Sequence, residues 1–407
     1  MLLHKSVEFD SRVRREASAL ARHGHEVIVL ELAEAAHGEQ LDGFRRRPLS
    51  SPAALQRLPV QLRRAVIVTR FVQELGRLRP DVVHAHDAAM LLPGLVGARL
   101  AGALLVYDSH ELATSVPYRE RAWTAFVAAV ERLVVPRCDA VITVSDGIAH
   151  RLRARYRLAA DPTVVRNVCE LELSGGGGLR ERMGLDADAP LILHQGTPAP
   201  ARGCEVLISA VGRLPGVHLA FLGDPMDGYG DRLRRLAQAA NVADRVAVLG
   251  GVPLGELLAH TAEADVGVTL LQDTCENHRL ALPNKLFEYI AAGVPVVASD
   301  LPETRRLVEA YGVGWCARPD DPAALAGVLE VALGHRHDPA LRERLRLAAQ
   351  DLRWPLEQRR LLALYEGLAG AGSLRGRSGE SQASGTPRPV AGGDEAVALA
   401  SCEREAM

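Results

Sequence analysis

The sequence predicts an α/β protein made of two parallel-sheet domains and a disordered C-terminal tail. Three observations carry that expectation. Short runs rich in β-branched residues alternate with longer amphipathic segments along nearly the whole chain, as in parallel strands joined by crossover helices. The alternation breaks once, between Asn167 and Pro190, where Gly175, Gly176, Gly177 and Gly178 fall in a stretch without strand character. From Gly370 onward Ser, Gly and Pro dominate and apolar periodicity fails.

The first strand is a stub: Met1 to His4 precede Lys5, a length that fits a start codon placed too far downstream. Further strands are expected at Glu26–Leu30, Val82–His86, Leu104–Tyr107, Ala140–Val144, Leu191–His194, Val217–Leu222, Val246–Leu249, Val266–Leu270 and Val296–Ala298. Helical spacing recurs between them, as in Leu207, Ala210, Val211 and Leu214 or Leu325, Val328, Leu329, Ala332 and Leu333. Ser145 or Asp146 suits the N-cap of the helix that follows its strand. The boundaries drawn are a first domain over 1–168, a linker over 169–189 and a second domain over 190–350. A helix over 351–370, packing back toward the first domain, and a tail over 371–407 complete the chain.

The 407 residues carry 48 basic and 50 acidic side chains, a net charge of -2, so nothing announces a nucleic-acid surface. Cys138, Cys169, Cys204, Cys275, Cys316 and Cys402 form no C-x-x-C pair, which argues for free thiols in a cytoplasmic chain. No cationic start leads into an apolar core, so no secretory signal is expected. Ala88 to Tyr107 approaches the roughly 20 residues of a membrane span. Pro93, Gly94, Gly97, Arg99 and Gly102 interrupt it, which fits a short helix followed by a buried strand.

In open parallel sheets ligands sit beyond the carboxyl ends of strands. Four such places carry reactive residues. After Leu104–Tyr107 come Asp108, Ser109, His110 and Glu111, where His110 either polarises a substrate hydroxyl or caps the next helix. After Leu191–His194 come Gln195, Gly196 and Thr197, then Arg202 and Gly203: Gly196 permits close backbone approach, and Arg202 either meets a phosphate or belongs to a plain surface loop. Pro283 suits the first turn of a helix whose free N–H groups face an anion; Lys285 adds charge there, and Glu288 can accept bonds from ribose hydroxyls, unless the two merely pair with each other. Finally, His84 and His86 share a strand face; with no evident third ligand they read as cleft lining rather than a metal pair. The P-loop, the dinucleotide fingerprint after a strand and the G-x-S-x-G elbow are all missing, which removes the main support for NTPase, dehydrogenase and serine hydrolase.

Taken together, Asp10–Ala17, Gly24–Val27, Pro80–His86, Tyr107–Leu112, Leu282–Tyr289 and Gly293–Asp300 resemble family 4 of the retaining glycosyltransferases, over nearly everything to Gly370. The resemblance implies the GT-B fold, two facing Rossmann-like domains, and sugar transfer from a nucleoside diphosphate sugar to an acceptor hydroxyl without a metal or other cofactor. It makes His110 the histidine near the transferred sugar, Arg202 and Lys285 the phosphate-binding cations and Glu288 the ribose carboxylate, with Gly196 beside the donor. Asp10, Arg12, His86, Asp108 and Glu111 become acceptor-side candidates. Two positions depart from the family pattern: Leu280 stands where a glutamate eight residues before Glu288 is common, with Glu276 four residues earlier, and Thr197 stands where a basic residue is frequent. The alternatives on the same architecture are a sugar-nucleotide epimerase, a phosphorylase or a non-catalytic nucleotide-sugar-binding partner.

Gly43 to Gln73 holds Arg45, Arg46, Arg47, Arg57, Arg63, Arg64 and Arg70 and no Asp or Glu, interleaved with apolar residues. The pattern predicts either a helix after Pro59 lying on an anionic membrane, with a lipid-linked acceptor, or a solvated arginine-rich flank of the cleft serving a saccharide or natural-product acceptor.

Overall fold

The computed structural model describes residues 1–33, 40–49, 57, 59–116, 120–170 and 175–379, with side chains to residue 370. Met1–Leu368 form one unit, and a second begins at Ala369. The first unit contains two sheets. The first sheet comprises β1 (Leu2–Leu3), β2 (Ile28–Glu31), β3 (Gln40–Leu41), β4 (Phe44–Pro48), β5 (Val82–His86), β6 (Leu104–Ser109), β7 (Ala140–Thr143) and β8 (Thr163–Val164), in the order β3-β4-β2-β1-β5-β6-β7-β8. It is parallel apart from the β3–β4 hairpin. The second comprises β9 (Leu191–Gln195), β10 (His218–Leu222), β11 (Val246–Leu249), β12 (Val266–Thr269), β13 (Val296–Ser299) and β14 (Gly314–Ala317), all parallel, in the order β11-β10-β9-β12-β13-β14. Strand order reverses at β1/β5 in one sheet and at β9/β12 in the other, and these switch points open the crevices in which ligands bind.

Four strands lie outside the sequence expectations: β3, β4, β8 and β14. β4 was hidden by its composition. Phe44 and Arg46 face the interior while Arg45 and Arg47 face outward, so the period of two exists, but one inward position is an arginine. β14 begins at Gly314, where a Cβ would lie 1.9 Å from the Val296 carbonyl oxygen; only glycine lets the two strands close.

Ala88–Met90 is a short 3-10 turn, Leu91–Ala101 a helix and Leu104–Ser109 a strand. Among the described residues no helix is long and apolar enough to cross a membrane. Ser145 takes the N-cap, its hydroxyl accepting from Ile148 N–H at 3.2 Å, with Asp146 the first helical residue.

The last helix, Trp354–Gly379, returns to the first sheet. The Glu357 carboxylate accepts the Arg166 backbone N–H at 3.0 Å, and Tyr365 Oη meets His84 Nδ1 at 2.9 Å. This helix overruns the tail boundary placed at residue 371. Extending an anchored helix requires no new nucleus, so a glycine-poor start carries several indifferent residues along. The rest of the expected tail, 380–407, lies outside the described residues.

Tyr289 joins the second sheet to the helix Asn284–Ala291. Its hydroxyl accepts Gln195 N–H at 2.8 Å and lies 3.0 Å from Leu193 O and 3.2 Å from Val268 O. The ring fits over Gly267, where a Cβ would lie 2.4 Å from it. We therefore expect Gly267→Ala to lower stability by about 1–3 kcal/mol through overpacking. Urea unfolding checks this, and an unchanged midpoint would remove Tyr289 as the fastening point.

Candidate active site

A cavity of about 870 Å³ lies at the carboxyl ends of both sheets. From the first sheet's side come Arg12, His110 and Glu111; from the second's come Gly196, Arg202, Lys285 and Glu288. Asp10, His86 and Asp108 are absent from that lining. Asp10 is the N-cap of the helix Ser11–Arg22, accepting from Val13 N–H at 3.1 Å and pairing with Lys5 at 3.0 Å. Its place in the sequence reflects helix initiation rather than contact with a ligand.

His86 and Asp108 stand behind His110, fully buried. Arg12 grips Asp108 with a two-pronged fork, Nε to Oδ2 at 2.8 Å and Nη2 to Oδ1 at 2.9 Å, and donates from Nη1 to Val165 O at 2.7 Å. Its Nη2 also pairs with Glu16 at 3.0 Å. Burial alone would push the Asp108 carboxyl up; Arg12 and His110 hold it well below the usual range. Burial outweighs Arg12 at Glu16, whose carboxyl is pushed up to about 8.

His110 Nε2 lies 3.2 Å from Asp108 Oδ2 and Nδ1 lies 3.5 Å from Asp87 Oδ2. Burial disfavours the imidazolium, but the Asp87 and Asp108 carboxylates prevail and raise its pKa to about 9. His110 is therefore a cation at neutral pH, a hydrogen-bond donor rather than a base. The His84 and His86 rings stack with centroids 4.2 Å apart, and burial lowers the pKa of each. Glu16, His84, His86 and Asp108 bring potential ligand atoms within 4.8 Å of one another. Arg12 is already seated on both carboxylates, which makes the group an ion-pair cluster.

On the other side, Gly196 has φ +83° and leaves its Cβ direction toward the Lys285 side chain open. Arg202 is exposed at the cavity. Pro283 is the N-cap of the helix Asn284–Ala291, one position before its first turn. Lys285 Nζ lies 3.3 Å from His194 Nε2, and burial, reinforced by Arg202, pushes its pKa down to about 7. One turn on, Glu288 accepts a bond from the Gln195 side-chain amide; burial raises its carboxyl against the pull of that bond and of Lys285.

The two departures from the family pattern have visible consequences. Leu280 contributes its carbonyl, which accepts from Ser145 Oγ at 2.6 Å. Glu276 turns away to Arg151 at 2.9 Å, and its N–H donates to Ser115 Oγ at 3.0 Å. Asn277 and His278, from the same short helix, line the cavity instead, with Asn277 Oδ1 accepting Leu112 N–H at 2.8 Å. Thr197 is exposed and outside the lining. Sequence reasoning missed Asn277, His278, Gln195 and Asp87. Only Gln195 and Asp87 carried a signal, each at the carboxyl end of a strand.

The arginine-rich segment needs correction. Arg45 pairs with Glu26, Arg46 with Glu31 at 2.8 Å and Glu8 at 2.7 Å, and Arg47 with Glu74 at 2.5 Å. The segment holds no acid of its own because neighbouring elements supply four. Residues 50–56 and 58 lie outside the described residues, and Val60–Leu78 is a helix.

Two parallel-sheet domains with a charged cavity at their carboxyl ends are the GT-B arrangement. The family description Glycosyltransferase Family 4 matches residues 11–173, and Glycosyl transferases group 1 matches residues 189–334. The chain belongs to glycosyltransferase family 4 and is a glycosyltransferase. A D-inositol 3-phosphate glycosyltransferase of Catenulispora acidiphila is 28% identical over 320 residues, 73% of this chain and 74% of that protein. The sulfoquinovosyl transferase of Arabidopsis thaliana is 23% identical over 369 residues, 84% of this chain and 66% of that protein. Among solved structures, the sucrose-phosphate synthase of Thermosynechococcus elongatus superposes with TM-score 0.72 at 23% identity, over 91% of this chain and 99% of that one. HepE of Anabaena, solved with UDP-glucose, gives 0.71 at 17% identity, over 90% and 98%.

Lys285 yields a test of the site. With a pKa of about 7, it is mostly neutral above that pH. A bound diphosphate would restore its charge, so donor binding at a pH of about 8.5 should take up close to one proton, and none at about 5.5. Calorimetry in buffers of different ionisation enthalpy measures this; zero uptake at both would place the diphosphate elsewhere.

Proposed function

We propose that the protein transfers a sugar from a nucleoside diphosphate sugar to an acceptor hydroxyl with retention of configuration and without a metal or other cofactor. The reading places it in polysaccharide, glycolipid or glycoconjugate synthesis in the cytoplasm. The observation that carries it is the convergence of His110, Arg202, Lys285 and Glu288 on one cavity from two sheets. Arg202 and Lys285 neutralise the diphosphate, Glu288 accepts the ribose hydroxyls, and the His110 imidazolium places its positive charge beside the sugar being transferred. The bond from the anomeric carbon to phosphate oxygen breaks as that to the acceptor oxygen forms on the same face. The acceptor proton passes to the departing diphosphate, so no protein nucleophile is needed. The UDP-glucose complex of HepE supports a nucleotide-sugar donor for this architecture.

His110→Ala should cut turnover roughly 100-fold while leaving donor affinity nearly intact. Lys285→Ala should weaken donor affinity about tenfold or more, since a hydrogen bond to a charged group contributes about 1.5–3 kcal/mol. Activity assays with EDTA should match those without it. Unchanged affinity in Lys285→Ala, or full turnover in His110→Ala, would refute the assignment. Release of free sugar or an epimerised donor without any acceptor would favour the epimerase reading.

A membrane-borne acceptor would be met by an exposed apolar and basic surface on the first sheet's side. Val60 and Leu62 stand at the start of one helix and Phe126 on the neighbouring one, and the Arg64 guanidinium stacks 4.2 Å above the Trp123 ring between them. This patch fits an anionic membrane and a lipid-linked acceptor better than the paired Arg45–Arg47 do. Sedimentation with anionic vesicles should show salt-sensitive binding that is lost when Leu62 and Phe126 both become Asp. Failure to sediment at low salt would point to a saccharide or natural-product acceptor.

A further inference from the structure

Asp87 follows β5 with φ +62° and ψ 161°, a conformation that glycine alone adopts without strain. A residue kept there against its backbone preference has a reason in its side chain. That reason is not local: Asp87 is the N-cap of the turn Ala88–Met90, yet its side chain makes no cap bond. Its carboxylate instead reaches across the strand ends to His110 Nδ1 at 3.5 Å, while Asp108 meets Nε2 at 3.2 Å. The Asp87 backbone N–H donates to Asp108 O at 2.9 Å, so the strained residue and the second carboxylate are tied together.

We propose that Asp87 is a positioning residue for glycosyl transfer, holding the His110 ring against Asp108 so that both ring nitrogens are engaged and one fixed edge faces the transferred sugar. A ring held from both sides cannot flip by half a turn about its Cβ–Cγ bond without turning a carbon, in place of each nitrogen, toward the two carboxylates. The other groups around the ring do not replace Asp87. His86 Nδ1 lies 3.2 Å from His110 Nε2, on the Asp108 side, where Arg12 and Glu16 also lie. The charge of this ring is felt at Asp10 and at His4, and His4 also feels the Asp87 carboxylate. Asp87 alone stands at Nδ1 among the described residues.

The inference rests on the reading of His110 given above, and the experiment separates the two. Two variants are made. Asp87→Asn keeps shape and tolerance of positive φ but removes the charge; Asp87→Gly removes the side chain and relieves the backbone. Proton-detected NMR of the His110 imidazole, with no substrate present, should show its titration falling from about 9 by about one pH unit or more in both variants. Turnover should fall about tenfold with donor KM little changed, and the alkaline limb of the pH–rate profile should move down with the imidazole. Asp87→Gly should melt no lower than wild type, because its loss is functional. An unmoved His110 titration overturns the proposal whatever the activity. A moved titration with wild-type turnover overturns the positioning role as well, and the assignment of His110 to the reaction is then decided separately by His110→Ala.

Discussion

The buried pair between Arg12 and Asp108 fixes the first half of the active site. Both groups give up hydration, and such a pair holds only if nearly every donor and acceptor is used. Arg12 meets that demand with two bonds to Asp108, one to Val165 O and one contact to Glu16. In doing so it joins the first helix, β6 and the segment after β8. His110 sits two residues beyond Asp108 and takes both its place and its charge from this junction. Deleting either partner would strand the other as an uncompensated charge, costing about 3–5 kcal/mol, so the pair is difficult to alter one residue at a time.

The second half rests on a neutral fastening. At Tyr289 one hydroxyl touches the backbones of β9 and β12, the two strands on either side of the switch point. The helix presenting Lys285 and Glu288 is thereby registered against the loop presenting Gly196. One half is positioned by charge that must stay paired, the other by a ring that must stay in contact with a glycine. The two respond to different perturbations: pH and salt reach the first only through buried groups, whereas volume changes reach the second directly.

Much of this was legible in the sequence. β5, β6, β9 and β12 announce themselves by β-branched runs, and the residues just past them, His110 and Gly196 among them, line the cavity. The illegible parts share a physical cause, which is that partnership across long sequence separations leaves no local trace. β4 reads as a basic loop because the acids that satisfy Arg46 lie at Glu8 and Glu31. Asp10 enters the acceptor-side candidates only through the family resemblance, and its N-cap role, which depends on where the helix begins, left no separate mark in the sequence. Asn277 and His278 were eclipsed by Glu276, since nothing in a five-residue helix tells which side chain turns inward.

The seam between the His110 loop and the helix Glu276–Leu280 is stitched largely through main-chain groups: the N–H of Leu112, the N–H of Glu276 and the carbonyl of Leu280. Main-chain groups are supplied by almost any amino acid. The other end of each bond is a side chain, Asn277 Oδ1, Ser115 Oγ and Ser145 Oγ, so the seam constrains those three residues and makes no polar demand on the side chains at Leu112 and Leu280. The cavity position Asn277 is thereby committed to the scaffold, while His278 beside it lines the cavity without taking part in the seam.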